Sequence, residues 1–193
     1  MVPVLHYTSV VLLVFLVLLL AIIVIVVLFI TFSGKAVPIS DISRGEQQYG
    51  QGPDLVYVVL GDSTGIGQGA AYNNSIAVRS SQYVANRNTV RLTNMAVSGA
   101  TVRDVRETQL EKAMKLQPDL VLIAVGANDV THVTRLRSIN IDITHIIAKL
   151  RSANPDVLIL LTGSPQMGSV PRFPWPINYF ARLRTTQVNT LFK

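Results

Sequence analysis

A doubly wound parallel α/β sheet, preceded by one membrane-crossing helix, is the architecture predicted for this chain. Three observations predict it. Apolar runs of strand length alternate with amphipathic stretches from Leu55 onward, the first three runs each lead into a small polar cluster, and a long uncharged apolar segment precedes them all. Alternating strands and helices give a parallel sheet with right-handed crossovers.

The N-terminal segment comes first. Val10 to Phe32 is apolar except for Thr31. As a helix it spans about 34 Å at roughly 1.5 Å per residue, which matches a hydrocarbon core of about 30 Å. A secretory signal has a shorter apolar core and a small-residue cleavage site, and Ser33-Gly34-Lys35-Ala36 is a poor one. Residues 1–32 therefore read as an uncleaved single-pass anchor whose partner is the bilayer. Residues 1–9 hold no Lys or Arg, while Lys35 and Arg44 follow the span. That weighs toward a cytoplasmic C-terminal portion, but two charges with Asp41 between them do not decide the side. Residues 33–53, rich in Ser, Gly, Gln and Pro without helical or strand period, read as a linker. Residues 54–193 read as the domain.

Within the domain, Leu55 to Leu60 is the first predicted strand. Residues 75–87 follow as a helix with Ile76, Val78, Tyr83 and Val84 as core contacts, then 90–97 as a weaker strand. Residues 101–117 are an amphipathic helix with Val102, Val105, Leu110, Ala113, Met114 and Leu116 near helical spacing, ended by Pro118. Leu120 to Val125 is a continuous apolar run, as a central strand covered on both faces requires. Residues 133–152 form a helix with Leu136, Ile139, Ile143, Ile146, Ile147 and Leu150 inward, stopped by Asn154-Pro155. Val157 to Leu161 is a fourth strand, 163–177 a loop rich in Gly and Pro, and 178–193 the start of a last helix.

Composition excludes several classes of function. The chain has 193 residues, no cysteine and a net charge of +6. Disulfides, thiol catalysis and thiolate metal sites are ruled out. The basic residues are scattered, with no basic run interleaved with aromatics, so nucleic acid is not a predicted partner. No Asp, Glu or His cluster has metal-ligand spacing, and no metal or cofactor is expected. Gly65-x-Gly67-x-Gly69 has neither the Gly-Lys-Ser/Thr ending nor the spacing of a nucleotide loop. Asn73-Asn74-Ser75 fits an N-glycosylation acceptor, a triplet common by chance. After Asp156 no acid occurs, while Arg172, Arg182, Arg184 and Lys193 continue. Solvation and contact with lipid headgroups both fit that basic stretch.

The chemistry lies in the polar clusters Gly61-Asp62-Ser63, Asn94 through Gly99, and Gly126-Ala127-Asn128-Asp129. In a parallel sheet the strand ends share one edge, so the three clusters converge there. Ser63 offers a hydroxyl nucleophile. Its own N–H, the N–H of Gly99 and the Asn128 amide offer oxyanion donors.

On these residues the chain resembles the SGNH (GDSL) hydrolase family, from about Leu55 to Pro165. The resemblance implies a flavodoxin-like three-layer fold, an extracytoplasmic domain and hydrolysis of esters. It implies Ser63 as nucleophile, Gly99 and Asn128 in the oxyanion hole, and Asp62 and Asp129 as supporting residues. The family takes its triad Asp and His from a late Asp-x-x-His motif. This chain has no acid after Asp156 and no His after His145, and a further strand is missing. It is expected to be C-terminally incomplete, a fragment whose last helix is unfinished. The competing reading is an SGNH-fold binding or structural protein without a catalytic base. His132, three residues past Asp129, offers a replacement base but reads rather as a surface residue near a helix start, and His145 as a partly exposed helix residue. The loop 163–177, with Met167, Val170, Phe173 and Trp175, is the expected wall of the ester pocket.

Overall fold

The computed structural model describes residues 2–32, 46–171 and 173–193, and they belong to two compact units. The first unit is built on α1 (Val2–Phe32). No Gly or Pro interrupts it after Pro3, and proline is tolerated in a first helical turn. Between Thr8 and Val27 no side chain is buried, and that stretch is long and apolar enough to cross a membrane.

The second unit is organised by a five-stranded sheet in the order β1-β3-β2-β4-β5. The strands are β1 (Gln47–Tyr49), β2 (Asp54–Gly61), β3 (Thr89–Asn94), β4 (Leu120–Ala124) and β5 (Leu158–Thr162). β3, β2, β4 and β5 run parallel, as the alternation of elements predicts. β1 is a correction to that reading. It pairs antiparallel with β3, Gln48 opposite Arg91, and makes the sheet mixed. It lies in the stretch expected to be linker. Three residues, Gln-Gln-Tyr, are too few to show a period, and an edge strand needs no apolar face. The rest of the expected linker, 33–45, lies outside the described residues.

Side chains alternate across β2 and β4. Val58, Leu60, Val121 and Ile123 face one way, against Val102, Val105, Ala113, Ile139, Ile143, Ile146 and Leu150. Those partners come from α4 (Val102–Asp104), the turn at Val105 that follows it, α5 (Leu110–Lys115) and α7 (Leu136–Ala153), and Val188 adds α8 (Ile177–Thr190). Tyr57, Val59, Val90, Leu92, Leu120 and Leu122 face the other way, against Ala77 and Val78 of α3 (Ile76–Val84). Fully burying one such side chain contributes about 1.5–3 kcal/mol. The register of α3 differs from expectation: Ile76 and Tyr83 are exposed, and Ala77, Val78 and Ser81 point inward. Ser75 caps this helix by accepting the Val78 N–H.

The predicted 101–117 helix is real but not uniform. Thr101 and Asp104 form a capping box at its start, and Val105–Gln109 then widens into a π-helical turn before α5 resumes. The α7 register follows the apolar spacing, with Ile146 buried and Ile141 half exposed on the same helix. Ile146→Ala should therefore cost about 2–5 kcal/mol by opening a cavity, whereas Ile141→Ala should stay within about 0.5 kcal/mol. Urea unfolding of the detergent-solubilised chain measures both, and equal costs would refute the assigned register.

Candidate active site

The first polar cluster begins where β2 meets β4. Gly61 has φ +137°, and a Cβ there would lie 1.8 Å from the Ala124 carbonyl oxygen. No other residue type fits so close an approach. The next amide, of Asp62, donates to that same Ala124 oxygen at 2.9 Å. Gln109 fixes Gly61 from the other side. Its Oε1 accepts the Gly61 N–H at 2.9 Å, and its Nε2 donates to the Gly61 carbonyl at 2.9 Å. The amide thus imitates one more rung of the sheet, delivered by the last residue of the π turn. Inserted π turns often mark functional positions. Gln109 was not among the residues singled out from sequence. Its signal was there: it stands four residues after Val105 and four before Ala113, an amide inside an apolar stripe.

Asp62 is fully buried and caps α2 (Ser63–Ile66), its Oδ1 accepting the Thr64 N–H at 2.8 Å. Burial pushes its carboxyl above the ordinary value, and the amides of Thr64, Ala127 and Gly126 pull it part of the way back. Ser63 is the first residue of α2 and half-buried. Its carbonyl accepts the N–H groups of Gly67 and Gln68. No hydrogen bond engages its hydroxyl among the described residues. The turn glycines after it serve packing. A Cβ on Gly65 would meet Ala96 at 2.9 Å, and Gly67 closes α2 in the left-handed region with φ +83°.

The second cluster is stitched to the first. The Val97 N–H donates to the Gly61 carbonyl at 3.0 Å, Asn94 Nδ2 donates to the Gly65 carbonyl at 3.0 Å, and Ser98 Oγ reaches Gln68 Oε1 at 3.2 Å. Gly99 adopts φ +85° with open space where a Cβ would stand. Its glycine is thus a matter of backbone conformation rather than of crowding.

The third cluster joins the second. Asn128, in the first turn of α6 (Ala127–Thr131), donates Nδ2 to the Ala100 carbonyl at 3.0 Å. Ala100 directly follows Gly99, so the Asn128 amide is held beside the Gly99 loop. Asp129 is fully buried, and its Oδ2 accepts the Val102 N–H at 3.0 Å. Burial raises its carboxyl above the ordinary value; hydrogen bonds from Val102 and Thr134 oppose this, and the Asp62 charge adds to it. Asp62 Oδ2 and Asp129 Oδ1 have no hydrogen-bond partner among the described residues.

All five residues expected at the site, Asp62, Ser63, Gly99, Asn128 and Asp129, thus stand on three loops bonded to one another at one edge of the sheet. Neither His132 nor His145 joins them by a hydrogen bond among the described residues. His132 is exposed at the end of α6, not at a helix start, and His145 is exposed on α7. Part of the 163–177 loop also differs from expectation. Met167 packs on the core, whereas Trp175 is 82% exposed and lines a shallow depression with Gly168.

The sequence profile of the GDSL-like lipase/acylhydrolase family matches residues 59–193. The chain belongs to this family. Solved structures agree at the level of fold. The structure of TesA superposes with a TM-score of 0.54 at 20% identity, covering 72% of this chain and 75% of that one. Axe2, an acetylxylan esterase from Geobacillus stearothermophilus, also gives 0.54 at 20% identity, covering 72% of each chain. The psychrotrophic esterase EstA from Pseudoalteromonas sp. gives 0.52 at 20% identity, covering 72% of each chain. Among curated protein sequences no match reaches significance. The fold is that of the SGNH hydrolases, a family of esterases and acylhydrolases, with a mixed five-stranded sheet.

Two measurements test the geometry. Gly61→Ala forces a Cβ into the Ala124 carbonyl and should abolish cooperative folding, whereas Gly99→Ala meets no atom and should cost only about 1–2 kcal/mol of left-handed strain. Comparable losses for both would refute the close β2–β4 approach. The second concerns Asp129, whose folded carboxyl titrates above its ordinary value of 3.8. Over the interval above that value the folded state holds more protons than the unfolded chain. The group's contribution to stability is complete in acid and is lost as pH rises through the folded pKa. The unfolding free energy of the wild type minus that of Asp129→Asn should therefore fall as pH rises above about 4; a flat difference would contradict the burial.

Proposed function

We propose that this chain carries the nucleophile and oxyanion-stabilising groups of a membrane-anchored serine ester hydrolase acting on acyl or acetyl esters. The observation that supports it most is the pair of hydrogen bonds from Val97 to Gly61 and from Asn128 to Ala100. They hold the Ser63 turn, the Gly99 loop and the Asn128 amide at one sheet edge. The similar structures carry names such as acetylxylan esterase and esterase, which supports esters as the substrate class. α1 serves as the anchor, and the resemblance implies that the domain stands outside the cytoplasm.

In this reading Ser63 Oγ attacks the ester carbonyl carbon while a histidine base takes the hydroxyl proton. Charge develops on the carbonyl oxygen, where the N–H groups of Ser63 and Gly99 and the second Asn128 amide proton stabilise it. The C–O bond then breaks, the alcohol leaves with the proton, and water releases the acid from Ser63 in a second round. Asp62 and Asp129 position the loops. By the family resemblance the base would come from an Asp-x-x-His motif, which residues 1–193 do not contain.

One observation favours a second reading, a binding protein without turnover. Ser63 receives no hydrogen bond from any histidine among the described residues, and His132 and His145 are exposed. Hydrolysis of short p-nitrophenyl esters and labelling by a fluorophosphonate probe separate the two. In a form of the protein that includes an Asp-x-x-His histidine, Ser63→Ala should abolish both signals. Asn128→Ala should lower kcat by roughly 10²–10³, about 3–4 kcal/mol, with a smaller effect on KM. The 193-residue chain alone should turn over near background. Turnover that survives Ser63→Ala would sink the assignment, and turnover lost with His132→Ala would make His132 the base.

A further inference from the structure

We propose that the exposed face of α8 is a second membrane contact, seated against anionic lipid headgroups through Trp175, Tyr179, Phe180, Arg182 and Leu183. α8 already has an inward face: Thr185 and Val188 are buried against the domain. Its outward side, with Trp175 just before its start, nevertheless carries four large apolar groups in water. Trp175 is 82% exposed, Phe180 64%, Tyr179 56% and Leu183 46%. They form one surface. The Tyr179 and Phe180 rings meet edge to face at 6.0 Å, and Trp175, Tyr179 and Arg182 line one shallow depression with Gly168 and Asn178. A contiguous apolar patch with a polar rim marks an interaction site.

Charge selects the occupant. From Val157 to Lys193 the chain has no acid, but it has Arg172, Arg182, Arg184 and Lys193. Arg184 turns inward to the Thr134 carbonyl, whereas Arg182 stands on the exposed face. Tryptophan and tyrosine rings settle at headgroup depth, with an apolar body below and a polar tip above. Arginine lays its methylenes along apolar surface and keeps its guanidinium among phosphates. A negatively charged leaflet attracts such a face. A second copy of the chain fits less well, because a two-fold interface would set Arg182 near its own counterpart with no acid to offset it. The proposal draws on the anchor reading only for its setting, since a chain with an inserted α1 stays beside a bilayer.

Trp175 is the chain's only tryptophan, so its emission reports this face alone. The full chain is reconstituted into phosphatidylcholine vesicles with and without phosphatidylglycerol, using lipids brominated in the acyl chains as quenchers. Trp175 emission should shift to the blue, lose most of its intensity to brominated lipid and become shielded from aqueous acrylamide. Phosphatidylglycerol should strengthen the quenching and salt should weaken it. Arg182→Glu, or Tyr179→Ser with Phe180→Ser, should reduce it at least several-fold with an unchanged circular dichroism spectrum. Red-shifted, unquenched emission from vesicles in which the chain floats would overturn the proposal. So would a blue shift that disappears when the protein is diluted into excess lipid, which marks a second copy. Release of the chain by alkaline carbonate while Trp175 is still quenched before extraction would sink the anchor and support the α8 contact. A chain that floats with neither vesicle would sink both.

Discussion

The approach of β2 to β4 at Gly61 is the constraint on which the rest of the domain depends. A Cβ there would stand 1.8 Å from a carbonyl oxygen, so the two central strands meet at this point only because one of them has no side chain. The contact aims the chain out of the sheet at Asp62 and places Ser63 at the start of a short helix. The Gly61 carbonyl takes the Val97 N–H, and the Gln109 side chain supplies the partner of the Gly61 N–H and a second one for its carbonyl. The same device recurs at the end of β5. There the Asn189 carboxamide brackets Ser164, accepting its N–H at 2.8 Å and donating to its carbonyl at 2.9 Å. Both side-chain amides finish a strand where the sheet runs out, and both come from helices on the same face as the main core. Those helices therefore set the shape of the functional edge as well as burying the sheet.

The two buried aspartates pull in the other direction. Desolvating a carboxylate is costly unless hydrogen bonds replace the lost water. Asp62 has the Thr64 amide and Asp129 the Val102 amide, yet each keeps one oxygen without a partner among the described residues. They do tie the loops to their neighbours. Asp129 connects the α6 loop to the start of α4, and Asp62 closes the first turn of α2. Local stability is thereby exchanged for a fixed arrangement of three loops, as expected where preorganised donors matter more than fold stability.

Much of this was legible in the sequence. The four parallel strands, the helices between them and the three polar clusters follow from apolar runs and glycine placement, because a buried parallel strand can hardly be built otherwise. The misses share one cause: they are features whose signal is tertiary. β1 consists of Gln47, Gln48 and Tyr49, which become a strand only because β3 offers an open edge. The π turn at Val105–Gln109 breaks no propensity rule, and it is visible only once Gln109 is seen to reach Gly61. Ile76 and Tyr83 read as core on periodicity alone, but the layer over that face is a single helix too narrow to bury both its sides. At the site, the residue types announced the edge, whereas the bonds that draw Asn128 to Ala100 and Val97 to Gly61 were beyond what spacing tells.

The idle hydroxyl of Ser63 changes what the Gly-Asp-Ser signature can tell an observer. Gly61 is demanded by backbone crowding and Asp62 caps a helix, so both would be kept by selection for folding in a lineage that had ceased to hydrolyse anything. The Ser63 hydroxyl makes no such structural contribution among the described residues, and genetic drift would be free to replace it. Of the three letters, only the last is left without a structural reason among the described residues.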